Sequence, residues 1–182
     1  MQPTVLSNEQ IEGRAKAIRL VCFDVDGTLT DGRLFFDEQG HELKAFHVHD
    51  GQGLRLLEDS GIKVALITAR KSEIVIARGR DLGLQHVYTG VSDKFTLLKE
   101  LCERETLALS QVAYMGDDFP DLACLQSVGL SACPADAIAS IQNAVHWRSS
   151  FAGGLGAARQ FCNLILHTQG KLNAILKRYS AP

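Results

Sequence analysis

The sequence has few features that would tie it to a special environment. Its 182 residues include 4 prolines and 1 tryptophan, and no apolar stretch reaches the ~18 residues that a membrane-spanning helix needs. Neither sign of charge is in excess, because 19 basic and 21 acidic side chains leave a formal net charge of −2. This balance gives no indication of a nucleic-acid-binding surface. We therefore expect a globular protein without nucleic-acid or membrane partners.

The cysteine pattern argues against a disulfide scaffold and against a cysteine metal site. The 5 cysteines form no CxxC pair or other metal-binding spacing, and an odd number does not suit a disulfide framework. Residues 1–17 are polar and lack the apolar core of a signal peptide. These observations predict reduced, mostly buried thiols in a cytoplasmic protein.

Strand-like and helix-like segments alternate through most of the chain, without a linker or an internal repeat. The predicted strands are 20–23, 63–67, 85–88, 112–115, 128–130 and 144–147. The predicted helices are 8–16, 52–60, 72–82, 93–104, 119–126, 135–142, 153–167 and 172–179. Repeated units of this kind predict an α/β protein with a three-layer α/β/α Rossmann-like parallel sheet. We expect residues 1–182 to form one domain, with a C-terminal helical segment at about 154–182.

A β-hairpin is predicted beside the end of the first strand. Two aromatic-rich runs, 33–36 and 42–48, flank a turn-forming cluster at 37–40. The hairpin, at about 33–47, would carry more apolar surface than a free hairpin exposes. We therefore expect this flap to pack against another subunit.

Polar side chains follow three of the predicted strands at the point where each strand ends. Asp24 and Asp26 follow the first strand, Thr68 follows the second, and Asp117 follows the fourth. The carboxyl ends of parallel strands lie on one edge of a sheet, so these side chains should converge. Clustered carboxylates favour a bound cation, and an all-oxygen ligand set suits Mg²⁺ best. Thr68 and Lys94 would offer a hydroxyl and a positive charge to phosphate oxygens.

The motifs that carry these residues resemble those of the haloacid dehalogenase superfamily of phosphohydrolases. They are Asp24-x-Asp26-Gly27-Thr28, Thr68, Lys94 and Gly116-Asp117-Asp118-x-x-Asp121, in this order, and the resemblance covers roughly residues 17–170. It implies that Asp24 is the nucleophile that becomes an aspartyl phosphate and that Asp26 is the general acid and then the base. It also implies that Asp24, Asp117 and the backbone carbonyl of Asp26 bind Mg²⁺. Thr68 and Lys94 would hold the phosphoryl oxygens.

The spacing of the motifs indicates a member without a cap domain. Only 43 residues lie between Asp24 and Thr68, and 22 lie between Lys94 and Asp117, so neither gap can hold a folded cap. Within the superfamily, the chain is similar to the capless bacterial 3-deoxy-D-manno-octulosonate 8-phosphate phosphatases in the stretches 29–32, 46–53, 68–71 and 153–172. Those enzymes are homotetramers in which a neighbour's hairpin or C-terminal segment completes each site.

This second resemblance implies a Mg²⁺-dependent hydrolysis of the octulosonate 8-phosphate in the cytoplasmic supply of lipopolysaccharide. The sugar-acid phosphate would contact Asp26, His47, Val48, His49, Asp50, Gly51, Arg55, Arg70, Arg78 and Lys94. Arginine forks suit the carboxylate and hydroxyl groups of such a substrate. The chain departs from the pattern at His49 and Leu155, where many relatives have a basic residue.

Other interpretations stay open on the sequence alone. A phosphatase for another small phosphate, such as a sialic acid 9-phosphate or a nucleotide, would share almost all of these motifs. A non-catalytic oligomeric binding module could keep the same fold and metal site. Arg55 and Arg78 could be solvated helix charges. His47 and His49, which alternate along a predicted strand, could bind a transition metal.

Overall fold

A parallel sheet forms the centre of the computed structural model, which describes residues 6–180. Its strands are β1 (Leu20–Phe23), β4 (Lys63–Ile67), β5 (His86–Tyr88), β6 (Val112–Met115), β7 (Leu130–Cys133) and β8 (Trp147–Arg148). They lie in the order β5-β4-β1-β6-β7-β8. Two further strands, β2 (Phe35–Phe36) and β3 (Glu42–Leu43), form a separate antiparallel hairpin. The predicted Rossmann-like architecture is therefore confirmed.

Helices cover the sheet, and capping residues mark where several of them begin and end. They are α1 (Asn8–Lys16), α2 (Val48–Asp59), α3 (Glu73–Leu82), α4 (Lys94–Glu105), α5 (Leu122–Ser127), α6 (Ala139–Gln142), α7 (Ala157–Thr168) and α8 (Leu172–Ser180). Ser7 and Gln10 form a capping box at the start of α1. Gly83, at φ 74°, ends α3 in the left-handed region. Within residues 6–180, every helix is too short or too polar to cross a membrane.

Side chains of the central strands alternate between two apolar layers. Val21 and Phe23 pack with α1, α2, α3 and α7, whereas Leu20 and Cys22 pack with α4, α5 and α6 on the other face. Both faces of the sheet are therefore covered, which is why β1 reads as a continuous apolar run. All five cysteines are buried and unpaired, as the sequence predicts.

The connections that bear on the site contain no cap domain. The chain leaves β1, forms the short hairpin and returns directly into α2. Between Lys94 and β6 it forms only α4 and a short 3₁₀ helix, Leu109–Gln111. These two connections therefore bring only the hairpin, loops and helix ends to the carboxyl edge of the sheet.

The predicted strand through residues 42–48 is wrong after Leu43. The His47 side chain accepts a hydrogen bond from the backbone N–H of His49 (3.2 Å) and caps α2, which therefore begins at Val48 instead of residue 52. His47 and His49 do not share a strand face. Their rings meet edge to face, with centroids 5.0 Å apart.

Five elements in the second half of the chain begin two or more residues later than predicted. α5 begins at residue 122 instead of 119, after a 3₁₀ turn at Phe119–Asp121, and α7 begins at residue 157 instead of 153. β7 begins at residue 130 instead of 128 because Gly129 donates its N–H to the carbonyl of Leu109, in the 3₁₀ helix before β6 (2.9 Å). β8 begins at residue 147 instead of 144 because Nδ1 of His146 accepts the Ser131 N–H (3.0 Å) where a strand bond would form. α6 begins at residue 139 instead of 135 because Ala135 donates its N–H to the carbonyl of Phe151 (2.9 Å).

Candidate active site

The loop after β1 winds around one backbone carbonyl. Three successive N–H groups, those of residues 28–30, donate to the Val25 carbonyl at 2.9 to 3.2 Å. Gly27 lies at φ 91°, a conformation that is strained for a residue with a Cβ. The Asp24 N–H donates to the Met115 carbonyl at 2.9 Å. These bonds fix the loop at the carboxyl ends of β1 and β6, where the predicted nucleophile lies.

A buried lysine joins two carboxylates at the start of α4. Nζ of Lys94 lies 2.6 Å from Oδ1 of Asp24 and 2.6 Å from Oδ1 of Asp121. Tyr114 donates its hydroxyl to the same Asp121 oxygen at 2.9 Å. Burial acts to lower the pKa of Lys94, but the two carboxylates together outweigh burial and raise that pKa. Lys94 is therefore a cation at neutral pH.

The carboxylates of the site repel one another. Burial raises the pKa of Asp24 well above its usual range, and the Asp121 charge raises it further against the pull of Lys94. Asp117 accepts the Thr28 hydroxyl at 3.1 Å, and burial together with Asp121 raises the pKa of Asp117 to about 6. Carboxylate oxygens of Asp24, Asp117 and Asp121 lie within 4.8 Å of one another. Such crowding disfavours three ionised carboxylates unless a cation in addition to Lys94 is present.

The donor set fits Mg²⁺. All of its atoms are oxygens, and burial together with the neighbouring Asp121 charge, which raises the pKa of both Asp24 and Asp117, favours a divalent cation beside these carboxylates. Asp121 already accepts hydrogen bonds from Lys94, Tyr114 and the Asp117 N–H (3.2 Å), which leaves Asp24 and Asp117 as the available carboxylates. The Asp26 side chain lies outside this acidic cluster, so the prediction for Asp26 concerns only its backbone carbonyl.

Thr68 and Asp26 meet at the same edge of the sheet. Thr68, buried directly after β4, donates its hydroxyl to Oδ2 of Asp26 at 3.4 Å. The backbone N–H of Arg70 donates to the Thr68 hydroxyl oxygen at 3.3 Å. The structure thus brings Asp24, Asp26, Thr68 and Lys94 to one place, as the strand ends predict.

A group of charged residues that the sequence motifs do not predict reaches this site from the hairpin. Lys44, directly after β3, makes an ion pair with Oδ1 of Asp26 and another with Glu42 at 3.1 Å. Glu42 also accepts from Nη2 of Arg70 at 2.9 Å. The Lys44 side chain is 1% exposed, so water barely reaches these contacts. The spacing of Glu42 and Lys44 was the one signal for their contact, since residues two apart lie on the same face of an extended chain.

The start of α2 contains five of the predicted substrate residues, those at 47–51. Val48 is exposed, whereas Asp50 is buried. The Asp50 carboxylate accepts the N–H groups of Gly156 (3.2 Å) and Arg159 (2.7 Å). Burial raises the pKa of Asp50, and these two hydrogen bonds oppose the increase. The Asp50 carboxylate is thus engaged in capping α7, and its predicted contact with substrate stays a prediction.

The predicted arginines and the histidine pair have different surroundings. The Arg78 guanidinium lies 5.7 Å from the centre of the Phe46 ring. Arg55 is exposed on α2 and forms no ion pair within the described part of the chain. Within residues 6–180, the acidic cluster is the only group of three or more His, Cys, Asp or Glu close enough to hold a metal. His47 and His49 thus have no third ligand there.

Comparison with known proteins identifies the family of this chain. The sequence profile of the haloacid dehalogenase-like hydrolases matches residues 83–152. The chain is 42% identical over 163 residues to the 3-deoxy-D-manno-octulosonate 8-phosphate phosphatase KdsC of Escherichia coli strain B, which covers 90% of this chain and 87% of that relative. The chain belongs to this octulosonate phosphatase family of haloacid dehalogenase-like hydrolases.

Solved structures of similar proteins share the fold of this chain. A hypothetical protein from Xanthomonas campestris is 50% identical, with a TM-score of 0.94 and coverage of 100% of this chain and 99% of that one. The 3-deoxy-D-manno-octulosonate 8-phosphate phosphatase of Moraxella catarrhalis, in complex with a magnesium ion, a phosphate ion and a KDO molecule, is 38% identical. Its TM-score is 0.93, with coverage of 96% of this chain and 100% of that chain. The family resemblance is confirmed over nearly the whole length.

Proposed function

We propose that this chain hydrolyses 3-deoxy-D-manno-octulosonate 8-phosphate to 3-deoxy-D-manno-octulosonate and phosphate, with Mg²⁺ as cofactor. The observation that carries the proposal is the buried contact of Asp24 with Lys94, next to Asp117. In this proposal the three residues are the nucleophile, the phosphate-binding cation and a metal ligand, and the contact supports their acting together. The relatives named for this reaction support the substrate, and the reaction belongs to lipopolysaccharide biosynthesis.

Asp24 and Asp26 share the bond-making and proton-transfer steps. A carboxylate oxygen of Asp24 attacks the phosphorus atom, and the bond from phosphorus to the sugar oxygen breaks with its electron pair left on that oxygen. Asp26 donates its carboxyl proton to the leaving oxygen. Water then attacks the phosphorus of the aspartyl phosphate, its proton passes to Asp26, and Asp24 is released as a carboxylate.

The remaining residues bind and orient the phosphoryl group. Lys94, held between Asp24 and Asp121, faces the phosphoryl oxygens with its charge, and Thr68 donates its hydroxyl to them. Asp24, Asp117 and the Asp26 backbone carbonyl would hold Mg²⁺, which supplies neutralisation of the negative charge on phosphate. In this proposal Lys94 also keeps the nucleophile oriented before substrate arrives.

We propose that the sugar acid is recognised above the phosphoryl group. Arg70, Arg78 and Arg55 would meet its carboxylate and hydroxyls, together with residues 47–49 and the backbone of Gly51. The Asp50 carboxylate is engaged by α7, so its role here is to hold the start of α2 in place.

A panel of phosphate monoesters tests the proposed function. We expect Mg²⁺-dependent phosphate release with the largest kcat/KM for the octulosonate 8-phosphate, well above a sialic acid 9-phosphate or a nucleoside monophosphate. A chelator should abolish release, and added Mg²⁺ should restore it. Equal kcat/KM values across the panel would contradict the proposed substrate specificity but would still support a phosphatase mechanism. No release from any ester would favour the non-catalytic binding module.

We also propose a homotetramer in which the hairpin of one subunit covers the site of the next. The exposed apolar side chains of the hairpin support this proposal. Those of Leu34, Phe35, Phe36 and Leu43 are 47 to 59% exposed, although only the short pairing of β2 with β3 holds the hairpin together. Monomeric chains rarely expose clustered apolar side chains of this size. The C-terminal helix α8 adds Leu176 and Tyr179 to the apolar surface that subunits would bury.

The oligomer proposal predicts a tetrameric mass at micromolar concentration in light scattering. We expect Phe36→Asp to lower the mass and the activity together, because a charge cannot be buried in that contact. Lys99→Asp, which adds a carboxylate on exposed α4, is the control and should stay tetrameric. A monomeric wild-type chain with full activity would contradict the proposal.

We further propose one domain over residues 1–182, with the flap at 33–47 and the C-terminal segment at 154–182, in the cytoplasm. The support for one domain is the sheet, which takes strands from both halves of the chain. The support for the compartment is the set of unpaired, buried cysteines, which suits a reducing environment.

A further inference from the structure

Lys44 connects the hairpin to the Asp26 carboxylate of its own chain. We propose that Lys44 is a positioning residue, which holds Asp26 so that one carboxyl oxygen faces the leaving oxygen of the substrate. The inference rests on the proposed function, because it takes Asp26 as the group that exchanges the proton. It gives the hairpin a second role in addition to covering a neighbouring site.

The two oxygens of Asp26 have unequal partners. Oδ1 is bound by the buried Lys44 ammonium, whereas Oδ2 has only the Thr68 hydroxyl at 3.4 Å, which is long for a hydrogen bond between oxygens. In the proposed mechanism Thr68 turns to the phosphoryl group when substrate binds. Oδ2 is then free to exchange a proton, while Lys44 keeps the carboxyl group from rotating.

Two carboxylates hold Lys44, that of Asp26 in the loop after β1 and that of Glu42 in the hairpin. Asp26, Lys44, Glu42 and Arg70 alternate in charge and form a continuous series of ion pairs. Glu42 belongs to β3, which is paired with β2, so the hairpin backbone fixes the acid that orients Lys44. The Lys44 side chain is buried, while that of Arg70 is 43% exposed. A buried charge that loses its partner is strongly destabilised, so Lys44 has little freedom to leave Asp26.

The dependence of kcat/KM on the leaving group distinguishes a Lys44 that positions Asp26 from a Lys44 with another role. An alkyl ester such as the octulosonate 8-phosphate releases a strongly basic alkoxide, which needs a proton from Asp26. An aryl ester such as 4-nitrophenyl phosphate releases a weakly basic phenolate, which needs little help. We expect Lys44→Met to lower kcat/KM for the octulosonate ester by about 100-fold and for the aryl ester by less than about tenfold.

The loss for the octulosonate ester should appear in kcat, with KM nearly unchanged, and Lys44→Arg should recover part of it. Lys63→Met is the matched control, because Lys63 pairs with Glu105 at the amino end of β4. It should leave the ratio of the two esters at the wild-type value.

Two results would overturn the role of Lys44. Equal losses for both esters would indicate general damage to the site, and a raised KM alone would indicate a substrate contact. If Lys44→Met does not fold by circular dichroism, Glu42→Gln tests the same contact, since it removes the acid that orients Lys44. We expect a smaller change of the ester ratio in the same direction, and an unchanged ratio overturns the inference. Wild-type inactivity on both esters would instead refute the proposed function.

Discussion

Replacing the Asp24 carboxylate by an amide should abolish turnover and preserve the fold. We expect Asp24→Asn to lower kcat by roughly 10⁴-fold or more, because an uncharged amide cannot attack phosphorus and form the acyl phosphate. The amide has nearly the same shape, and burial already disfavours the charged form of Asp24. Lys94 keeps Asp121 as a partner at 2.6 Å, so the buried cation is not left alone.

Phosphate release measures the loss of turnover, and circular dichroism measures whether the fold is preserved. Asp59→Asn is the matched control, because it makes the same chemical change at an exposed ion pair with Arg178, which contributes little to stability. The control should keep wild-type activity. An Asp24→Asn enzyme with wild-type turnover would show that another group is the nucleophile.

A methyl group at Gly153 should disturb the catalytic loop from outside. The Cβ of an alanine there would lie 1.9 Å from the carbonyl oxygen of Gly27 and 2.9 Å from that of Thr30. These are backbone atoms, which have no rotamer by which to move away. The neighbouring Gly154 donates its N–H to the Thr28 carbonyl at 3.0 Å, so this turn is packed directly on the loop that carries Asp24.

We expect Gly153→Ala to lower the free energy of unfolding by roughly 1 to 3 kcal/mol, as overpacking in a dense interior does. Since the loop must shift, kcat should fall by more than about tenfold. Denaturant unfolding and steady-state kinetics give the two values. Gly13→Ala in α1 is the control, because no atom lies within 4 Å of its added Cβ. It should retain activity and gain up to about 1 kcal/mol. A stable, fully active Gly153→Ala chain would contradict this packing argument.

The parts of the site that follow strands could be predicted from the sequence. Asp24, Thr68 and Asp117 each come after an apolar run whose residues alternate between two covered faces, and parallel strands bring their carboxyl ends together. The physical information is local, since it needs only the position of each strand end. The convergence of these side chains then follows from the architecture.

Other features depend on contacts between distant segments. Lys44 meets Asp26 because the hairpin folds back over the sheet edge, and Asp50 caps α7 across more than a hundred residues of chain. The sequence pattern places the start of α2 too late because the His47 side chain serves as its cap, a role usually filled by Ser, Thr, Asp or Asn. The pairings of Lys44 with Asp26 and of Asp50 with α7 leave no periodic pattern in the sequence.

The central claim is that the phosphoryl group passes through Asp24. The most direct test is a single turnover in water enriched in oxygen-18, with enzyme in excess over the octulosonate 8-phosphate. Hydrolysis of an aspartyl phosphate takes its new phosphate oxygen from water only when the phosphorus–oxygen bond to Asp24 breaks. We predict one oxygen-18 in the released phosphate and none in Asp24. Direct attack of water on the substrate would give the same label, so the covalent adduct is the deciding observation. A covalent adduct on the Asp24 peptide must also be present when the turnover is quenched in acid. Phosphate release without that adduct at any quench time, under conditions where its decay is slower than its formation, would contradict the account.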